Sequence, residues 1–435
     1  MKIQIEKMGI NGEGIGYYRN KPVFIAGCFP SETVEWQIKE DRKSYYIGSL
    51  VRIDKQSRQR RRSFCPYSRK CGSCPMIELD YQAQLENKRE LLKEALYKYA
   101  LLDINPEMTV ASPLQQAYRN KCYLPVVEAD GRLVNAMYQS GSNHPVIIDQ
   151  CPLHEQQLEE VRKGILSALN QKKLKAYDHK LKKGVRQLMV RGFEGKYQAV
   201  IITGEDALSS HLIEEIMKDE RIVSLYQIVN TIRNPLNLME GKARLLDGLM
   251  SIELSLEGKR FSLTPQSFFQ LNTAQALNIY NKVRELIGDD NRTVVEAFCG
   301  TGIMTAMLAQ KCEKIIGIDI EKSSISDARE NAKNNGISNA QFICADANTE
   351  IGKIARKQEI DVMVVDPPRS GLGEEFIETI KRSRPGKIIY VSCNPATLAK
   401  NLESLKKHYS LELIQPYDMF PQTQHVECVA LLVRK

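Results

Sequence analysis

The chain has 435 residues and a formal net charge of +8 at pH 7, and 43% of its residues are hydrophobic and 26% charged. These proportions are typical of a soluble globular protein, and the length allows two or three domains. The sequence has no apolar run that could span a membrane and no recognisable signal peptide, so we expect a cytoplasmic protein without a membrane partner. The basic charge permits a polyanionic partner without proving one.

Residues 1–57 are predicted to form a small β-barrel. Gly9–Gly16 is a glycine-dense turn, and short alternating strands follow at Lys21–Ile25 and Glu32–Ile38. Such closely spaced strands favour a barrel of the kind that often holds single-stranded nucleic acid. The segment Tyr17–Arg19 offers base stacking and phosphate contact, although its tyrosines could simply pack. A basic linker that could contact RNA phosphates follows the barrel, at Arg58, Arg60, Arg61 and Arg62.

A cysteine cluster follows the linker. Cys65, Cys71 and Cys74 have the spacing C-x5-C-x2-C, and Cys151 is a further candidate downstream. In a large intracellular chain with eleven cysteines, such a cluster favours metal binding over disulfides. Four thiolates suit either zinc or an iron–sulfur cluster, and the residue types leave that choice open. The spacing differs from the C-x3-C-x2-C of radical enzymes that use S-adenosylmethionine, which favours a closed, structural site.

Residues 58–260 are predicted to form a central α+β module. It begins with an amphipathic helix over Asp80–Tyr99, which could pack on the C-terminal domain. Predicted strands and helices then alternate. The strands lie at Cys122–Val127, Gln187–Val190, Tyr197–Thr203 and Leu225–Asn230, and the helices lie at Leu158–Asn170 and Leu208–Met217. We interpret the basic stretch Lys172–Arg186 as a solvated helix and loop rather than an RNA contact.

Residues 261–435 are predicted to form a parallel, doubly wound α/β sheet. Four strands alternate with helices and end at the Cys299–Ile303 turn, Asp319, Asp346 and Asp366. The turn glycines Gly300 and Gly302 allow close approach of a ligand, and an acid about 20 residues later suits ribose hydroxyls. A dinucleotide-binding dehydrogenase is the alternative, but its fingerprint has a third glycine where Thr305 stands.

A fifth strand, Ile388–Val391, leads to Cys393 at the start of a predicted helix. Asn394 can cap that helix, and Pro395 suits its first position. Backbone N–H groups and the helix dipole are therefore expected to favour a Cys393 thiolate. Taken alone, the window fits a buried structural cysteine equally well.

The assembled motifs resemble those of the RNA uracil-5-methyltransferases. They occur in the family order, as L-T-P-Q-S-F-F-Q-L-N, F-C-G-T-G, V-D-P-P-R-S-G-L, Y-V-S-C-N-P-A-T-L-A-K-N-L and H-V-E-C-V-A-L-L. The N-terminal G-x-x-G-x-G-I-G with P-V-F-I-A-G-C-F-P-S-E-T-V resembles a TRAM domain, an RNA-binding barrel. A TRAM barrel together with a four-cysteine cluster is similar to the branch that methylates 23S ribosomal RNA.

The resemblance implies a multidomain protein with a TRAM (OB-like) β-barrel, a central α+β module with a 4Fe-4S cluster, and a C-terminal Rossmann-like domain dependent on S-adenosylmethionine (SAM). It places SAM near Gln270, Phe298, Asp319 and Asp366, and the cluster on Cys65, Cys71, Cys74 and Cys151. The strand pattern adds Gly300, Gly302 and Asp346 as candidate cofactor contacts. Relatives often have Asn where Ile303 stands and Glu where Asp319 stands.

The expected reaction is covalent catalysis on uracil. Cys393 would add to C6, Glu427 would remove the C5 proton, and Asp366 would hold cofactor or base in line. His425 is interpreted as a packing or hydrogen-bonding neighbour. The uracil must be flipped out or single-stranded, and we expect a monomeric enzyme. The alternatives are a tRNA uracil-5-methyltransferase and a non-catalytic RNA-binding iron–sulfur protein.

Overall fold

The computed structural model describes residues 1–233 and 238–435. Packing divides the chain into two compact units: the first holds residues 1–115, 281–287 and 351–435, and the second holds residues 116–280 and 288–350. None of the helices in these described ranges is long and apolar enough to cross a membrane.

Both units contain helices. In chain order they are α1 (Tyr81–Ala100), α2 (Gln156–Gln171), α3 (Ser210–Met217), α4 (Thr273–Ile287), α5 (Ile303–Leu308), α6 (Lys322–Asn334), α7 (Ala347–Ala355), α8 (Glu374–Ser383) and α9 (Pro395–Leu405).

The first unit begins with a closed barrel of five strands. They are β1 (Lys2–Met8), β2 (Gly14–Tyr18), β3 (Lys21–Ile25), β4 (Thr33–Asp41) and β5 (Tyr46–Lys55), joined in the order β1-β2-β3-β5-β4. Alternate side chains point inward, so that Ile3, Ile5, Val34 and Trp36 fill the interior. The predicted N-terminal barrel is therefore confirmed.

The second unit contains a seven-stranded sheet. Its strands are β6 (Lys121–Ala129), β7 (Arg132–Tyr138), β8 (Pro145–Ile147), β9 (Val185–Phe193), β10 (Lys196–Thr203), β11 (Ile222–Val229) and β12 (Ala243–Gly248), in the order β12-β11-β10-β9-β6-β7-β8. Helix α2 buries Leu158, Val161, Ile165 and Leu169, the spacing of one helix face, and packs on β7 and β9. Helix α3 packs on β11.

The second unit also carries the first strands of the predicted cofactor fold. A hairpin of β13 (Ile252–Leu256) and β14 (Lys259–Leu263) precedes β15 (Asn291–Ala297), β16 (Cys312–Asp319) and β17 (Ala340–Cys344). Strand β16 pairs in parallel with both β15 and β17. The β-branched residues Val294, Val295, Ile315 and Ile316 are buried, as expected for strands covered on both faces.

The first unit ends with four further strands. Strands β18 (Val362–Val365), β19 (Lys387–Ser392), β20 (Tyr409–Tyr417) and β21 (Glu427–Arg434) lie in the order β18-β19-β21-β20. Strand β18 pairs in parallel with β19, whereas β21 runs antiparallel to both β19 and β20. Helix α1, capped by the Asp80 side chain accepting from Gln82 N at 3.1 Å, packs against α9.

Candidate active site

Three strands of the first unit bring the predicted catalytic residues to one sheet edge. Asp366 directly follows β18 and Cys393 directly follows β19. The antiparallel ladder pairs Ser392 with Cys428, so the next step of the register brings Cys393 beside Glu427, the first residue of β21. Because the parallel strands β18 and β19 both end at this edge, Asp366 lies near Cys393 and Glu427.

The thiol is presented at the start of α9. Asn394 caps this helix through its side-chain oxygen, which accepts from Ala396 N at 3.1 Å, and Pro395 occupies the first turn. The Asn394 amide also donates to Arg369 O at 3.0 Å. The predicted strand–cysteine–helix arrangement is therefore confirmed.

Burial controls the protonation of the two acids. Removal from water raises the pKa of Asp366 to about 7. Burial and then Asp366 raise the pKa of Glu427 to about 8, whereas Arg369 and Lys88 lower it. Glu427 is only 5% exposed. A carboxylate with a pKa near neutrality is a stronger base than an ordinary surface glutamate.

The expectation that the helix N-terminus favours a Cys393 thiolate is wrong for this structure. Burial raises the pKa of Cys393 to about 11, and Glu427 and Asp366 add to this rise. Arg369 acts in the opposite direction but does not offset it. Two acidic neighbours and loss of water thus outweigh the helix dipole, and the cysteine is a thiol near pH 7.

The residues predicted to contact the cofactor in the second unit lie around the β15 turn. Phe298 has φ +65°, a strained conformation for a bulky residue, directly after β15. Asp319, at the end of β16, accepts from Gly300 N at 2.9 Å and from Glu321 N at 2.8 Å. A Cβ atom at Gly300 would meet nothing within 4 Å, so the backbone here faces open space.

The other three residues of the second unit that are predicted to contact the cofactor are Gly302, Asp346 and Gln270. At Gly302 (φ +71°) a Cβ atom would approach the Phe342 ring to 2.7 Å, so packing allows only glycine here, and its backbone contact with the cofactor stays a prediction. Asp346 is exposed and accepts from Thr349 N at 2.9 Å, near the start of α7. Gln270 is half-buried, and its carbonyl accepts from Asn120 at 2.9 Å.

The cysteine loop of the first unit holds Cys65, Cys71 and Cys74, all half-buried. Cys71 Sγ lies 3.4 Å from Ser73 Oγ, and burial together with the neighbouring Cys71 raises the pKa of Cys65. Thiols gathered in one loop have suitable donor chemistry. Within the described ranges, however, no group of three or more His, Cys, Asp or Glu side chains is arranged to hold a metal ion. Cys151, half-buried in the second unit, donates its N–H to Glu159 at 3.1 Å.

The basic linker differs from the prediction at Arg60. Its guanidinium donates to Glu32 at 2.6 and 2.8 Å and to Glu78, and it stacks on the Phe29 ring at 4.4 Å. Glu32 is fully buried, so Arg60 neutralises a buried carboxylate and is not available for phosphate. Arg58, Arg61 and Arg62 lie at or near the surface.

Comparison with known proteins identifies the family. Residues 240–435 match the family model described as tRNA (Uracil-5-)-methyltransferase. The chain is 34% identical to an uncharacterized RNA methyltransferase of Bacillus cereus, over 100% of this chain and 96% of the relative. The chain belongs to the RNA methyltransferases, and its residues 240–435 match the tRNA (uracil-5-)-methyltransferase family domain. A second uncharacterized RNA methyltransferase, from Enterococcus faecalis, is also 34% identical, over 100% of this methyltransferase and 98% of the relative.

A solved structure resembles this methyltransferase over its whole length. It is the Pyrococcus abyssi tRNA (uracil-54, C5)-methyltransferase in complex with S-adenosyl-L-homocysteine. The TM-score is 0.79 and the sequence identity 27%, with 100% of both chains covered.

Two residues of the methyltransferase site have no role predicted from the sequence, although one of them lies within a family motif. Arg369, exposed in the D-P-P-R motif, interacts with both Cys393 and Glu427 and lies 2.9 Å from His425 Nδ1. Arginine only donates, so His425 Nδ1 accepts and its proton lies on Nε2. His425 is therefore a hydrogen-bonding neighbour, as the sequence indicates. Fully buried Lys88 on α1 also acts on Glu427, and nothing about its position mid-helix predicts this.

Proposed function

We propose that this methyltransferase transfers a methyl group from SAM to C5 of a uracil in 23S ribosomal RNA. The observation that carries the proposal is the juxtaposition of Cys393 and Glu427 at the end of the β19–β21 ladder, with Asp366 beside them. A half-buried thiol next to a buried carboxylate with a pKa of about 8 provides a nucleophile and a base for one ring.

The chemistry needs both groups because C5 of uracil is a poor nucleophile. The Cys393 sulfur adds to C6, which makes C5 enolate-like, and C5 then takes the methyl group. Glu427 accepts the C5 proton, the C6–S bond breaks, the C5–C6 double bond re-forms and the thiolate is released. Since the cysteine is a thiol near pH 7, its proton must leave before addition; Asp366, with a pKa of about 7, accepts this proton and returns it to the released thiolate, so that Glu427 stays available for the C5 proton.

SAM supplies an electrophilic methyl group on a positively charged sulfur. The second unit has space for SAM, because the backbone of Gly300 faces open space beside Asp319. Each carboxylate oxygen of Asp319 accepts one backbone bond and keeps capacity for a ribose hydroxyl. Ile320, 68% exposed directly after Asp319, offers an apolar contact for adenine. The proposed contacts are Gln270, Phe298, Gly300, Gly302, Asp319, Asp346 and Asp366.

We further propose a 4Fe-4S cluster on Cys65, Cys71, Cys74 and Cys151, in a structural role. The support is the chemistry of the donor set and the resemblance of the cysteine spacing to the 23S branch. The cluster takes no part in the catalytic steps. The proposed functional regions remain the TRAM barrel over residues 1–57, the cluster-bearing module over 58–260 and the catalytic domain over 261–435, in a monomeric cytoplasmic enzyme.

A tRNA substrate is the second candidate. The Pyrococcus abyssi neighbour, similar over its whole length, acts on uracil 54 of tRNA. The cysteine set with the barrel favours 23S RNA, and the structural neighbour favours tRNA.

Separate transcripts decide between the two substrates. The purified protein is incubated with SAM and either 23S RNA or a tRNA pool, both made without modifications, and 5-methyluridine is mapped by mass spectrometry. We expect methylation of 23S RNA at one or two uridines. Methylation confined to tRNA would show that the substrate is tRNA and leave the proposed reaction unchanged. Absence of 5-methyluridine from both RNAs would overturn the proposed substrate and the proposed reaction.

A further inference from the structure

Lys88 is a fully buried lysine in the middle of α1. Its ammonium group donates to Asp418 Oδ1 at 2.5 Å and to Phe420 O at 3.2 Å. A charge without access to water is costly, and a neutral side chain of similar length would fill the same volume. The ion pair therefore needs an explanation beyond packing.

The partners of Lys88 belong to the segment that leads to Glu427. Tyr417, the last residue of β20, pairs with Glu427 in the β20–β21 ladder, and Asp418 follows directly. The segment 418–426 then loops back to Glu427. Lys88 holds the start of this loop, on the strand next to the proposed base.

Gln84, one helical turn before Lys88, holds the same loop further along. Its Oε1 accepts from Gln422 N at 2.9 Å and its Nε2 donates to Gln422 Oε1 at 2.9 Å. Residues four apart share one face of a helix. Two buried polar side chains of α1 thus fix the loop at two points, and the helix is buried along that face.

The titratable groups around Glu427 come from several elements. Asp366 at the end of β18 disfavours its ionisation, whereas Arg369 and Lys88 favour it, and the neighbouring Cys393 and Cys428 are neutral thiols near pH 7. Arg369 is exposed, so solvent and salt screen its charge. Lys88 is in the dry interior, where a charge acts over a longer range.

We infer that Lys88 is a positioning residue for proton abstraction: it anchors the loop before Glu427 and favours the ionised form of that buried carboxylate. This inference rests on the proposed role of Glu427. Burial lowers the pKa of Lys88, and its contact with Asp418 acts in the opposite direction, so Asp418 helps to keep Lys88 charged. Asp418 Oδ2 is buried without a hydrogen-bond partner among the described residues, so the carboxylate is held by Lys88 on one oxygen only.

The direct readout is release of tritium from C5 of uridine in the RNA that the enzyme methylates. Single-turnover release is measured from pH 5.5 to 9.5 for the wild type, Lys88→Met, Asp418→Asn and the double variant. Lys98→Met is the matched control, since Lys98 is exposed at the end of the same helix.

Shifts in the same direction are expected for the two single variants. Lys88→Met should move the acid limb of the profile up by roughly one pH unit or more, about tenfold slower release below the limb, with recovery at high pH. Asp418→Asn should also move it up, because a buried Lys88 without its carboxylate partner loses its proton more readily. The double variant should move it no further than Lys88→Met, and Lys98→Met should match the wild type. If Lys88→Met slows tritium release equally at every pH and the acid limb of the profile stays in place, Lys88 has only a structural role and the inference is overturned.

A parallel Glu427→Gln variant separates this failure from failure of the proposed function. If that variant releases tritium with the wild-type pH profile, Glu427 is not the base and the proposed mechanism fails. If Glu427→Gln abolishes tritium release while Lys88→Met and Asp418→Asn leave the acid limb of the pH profile in place, only the inference about Lys88 fails. Should Lys88→Met not fold, the Asp418→Asn and double variants carry the same test.

Discussion

Cys393 and Glu427 occupy adjoining positions at the end of the β19–β21 ladder, one residue beyond the Ser392–Cys428 pair. The glutamate adds to the rise in the pKa of the thiol. A nucleophile and a base that face the same ring must be this close, and their mutual repulsion as anions means that they are not both ionised at rest.

Replacement of the nucleophile should stop methyl transfer. Cys393→Ala is expected to lower the methylation rate by at least roughly 10³-fold, because C5 is then not activated. SAM affinity, measured by calorimetry, should stay near that of the wild type. Cys344→Ala, at an exposed cysteine, is the control and should keep full activity. Persistent turnover in Cys393→Ala would contradict the assignment.

The reactivity of Cys393 should follow its raised pKa. With a pKa of about 11, alkylation by iodoacetamide, followed by peptide mapping, should rise about tenfold per pH unit between pH 7 and 10. Glu427→Gln removes a negative neighbour and should speed alkylation of Cys393 several-fold at pH 8, while exposed Cys344 serves as the internal reference. A rate that is already constant below pH 8 would show a thiolate and refute the raised pKa.

Arg60 and Arg62 should differ although they lie two residues apart. Arg60→Ala leaves the buried Glu32 carboxylate without its cation and is expected to cost about 3–5 kcal/mol of stability in denaturant unfolding. Arg62→Ala, at an exposed position, should leave stability within about 0.5 kcal/mol and weaken RNA binding, with a lower salt dependence. Equal stability of the two variants would contradict the structural role of Arg60.

The cysteine set should bind iron. Anaerobic purification is expected to give a brown protein with about four irons per chain, measured by metal analysis together with its absorbance. Cys65→Ser should lose most of the iron, whereas Cys312→Ser, outside the set, should keep it. Stoichiometric zinc in place of iron would refute the 4Fe-4S proposal.

Local signals in the sequence predict most of the fold. Asn394 followed by Pro395 defines a helix start, and the helix begins there. The alternation in the predicted strand Glu32–Ile38 indicates a barrel wall, and its Val34 and Trp36 side chains lie in the barrel interior. Such features depend on neighbours in the chain, which the sequence displays directly.

The errors concern interactions between residues far apart in the chain. The helix start alone predicts a Cys393 thiolate, but burial with Glu427 and Asp366 determines its protonation. Arg60 looks like part of a charge run, yet its partner Glu32 lies 28 residues earlier. Pairings of this kind depend on tertiary packing and have no local signature.

The central claim is the covalent mechanism, and Glu427→Gln tests it most directly. The variant is incubated with SAM and the RNA substrate, and the products are separated under denaturing conditions and identified by intact mass spectrometry. The covalent mechanism predicts a stable adduct of protein and methylated RNA joined through Cys393, because the C5 proton is not removed and the C6–S bond does not break. Free methylated RNA at the wild-type rate, with no adduct, would contradict it.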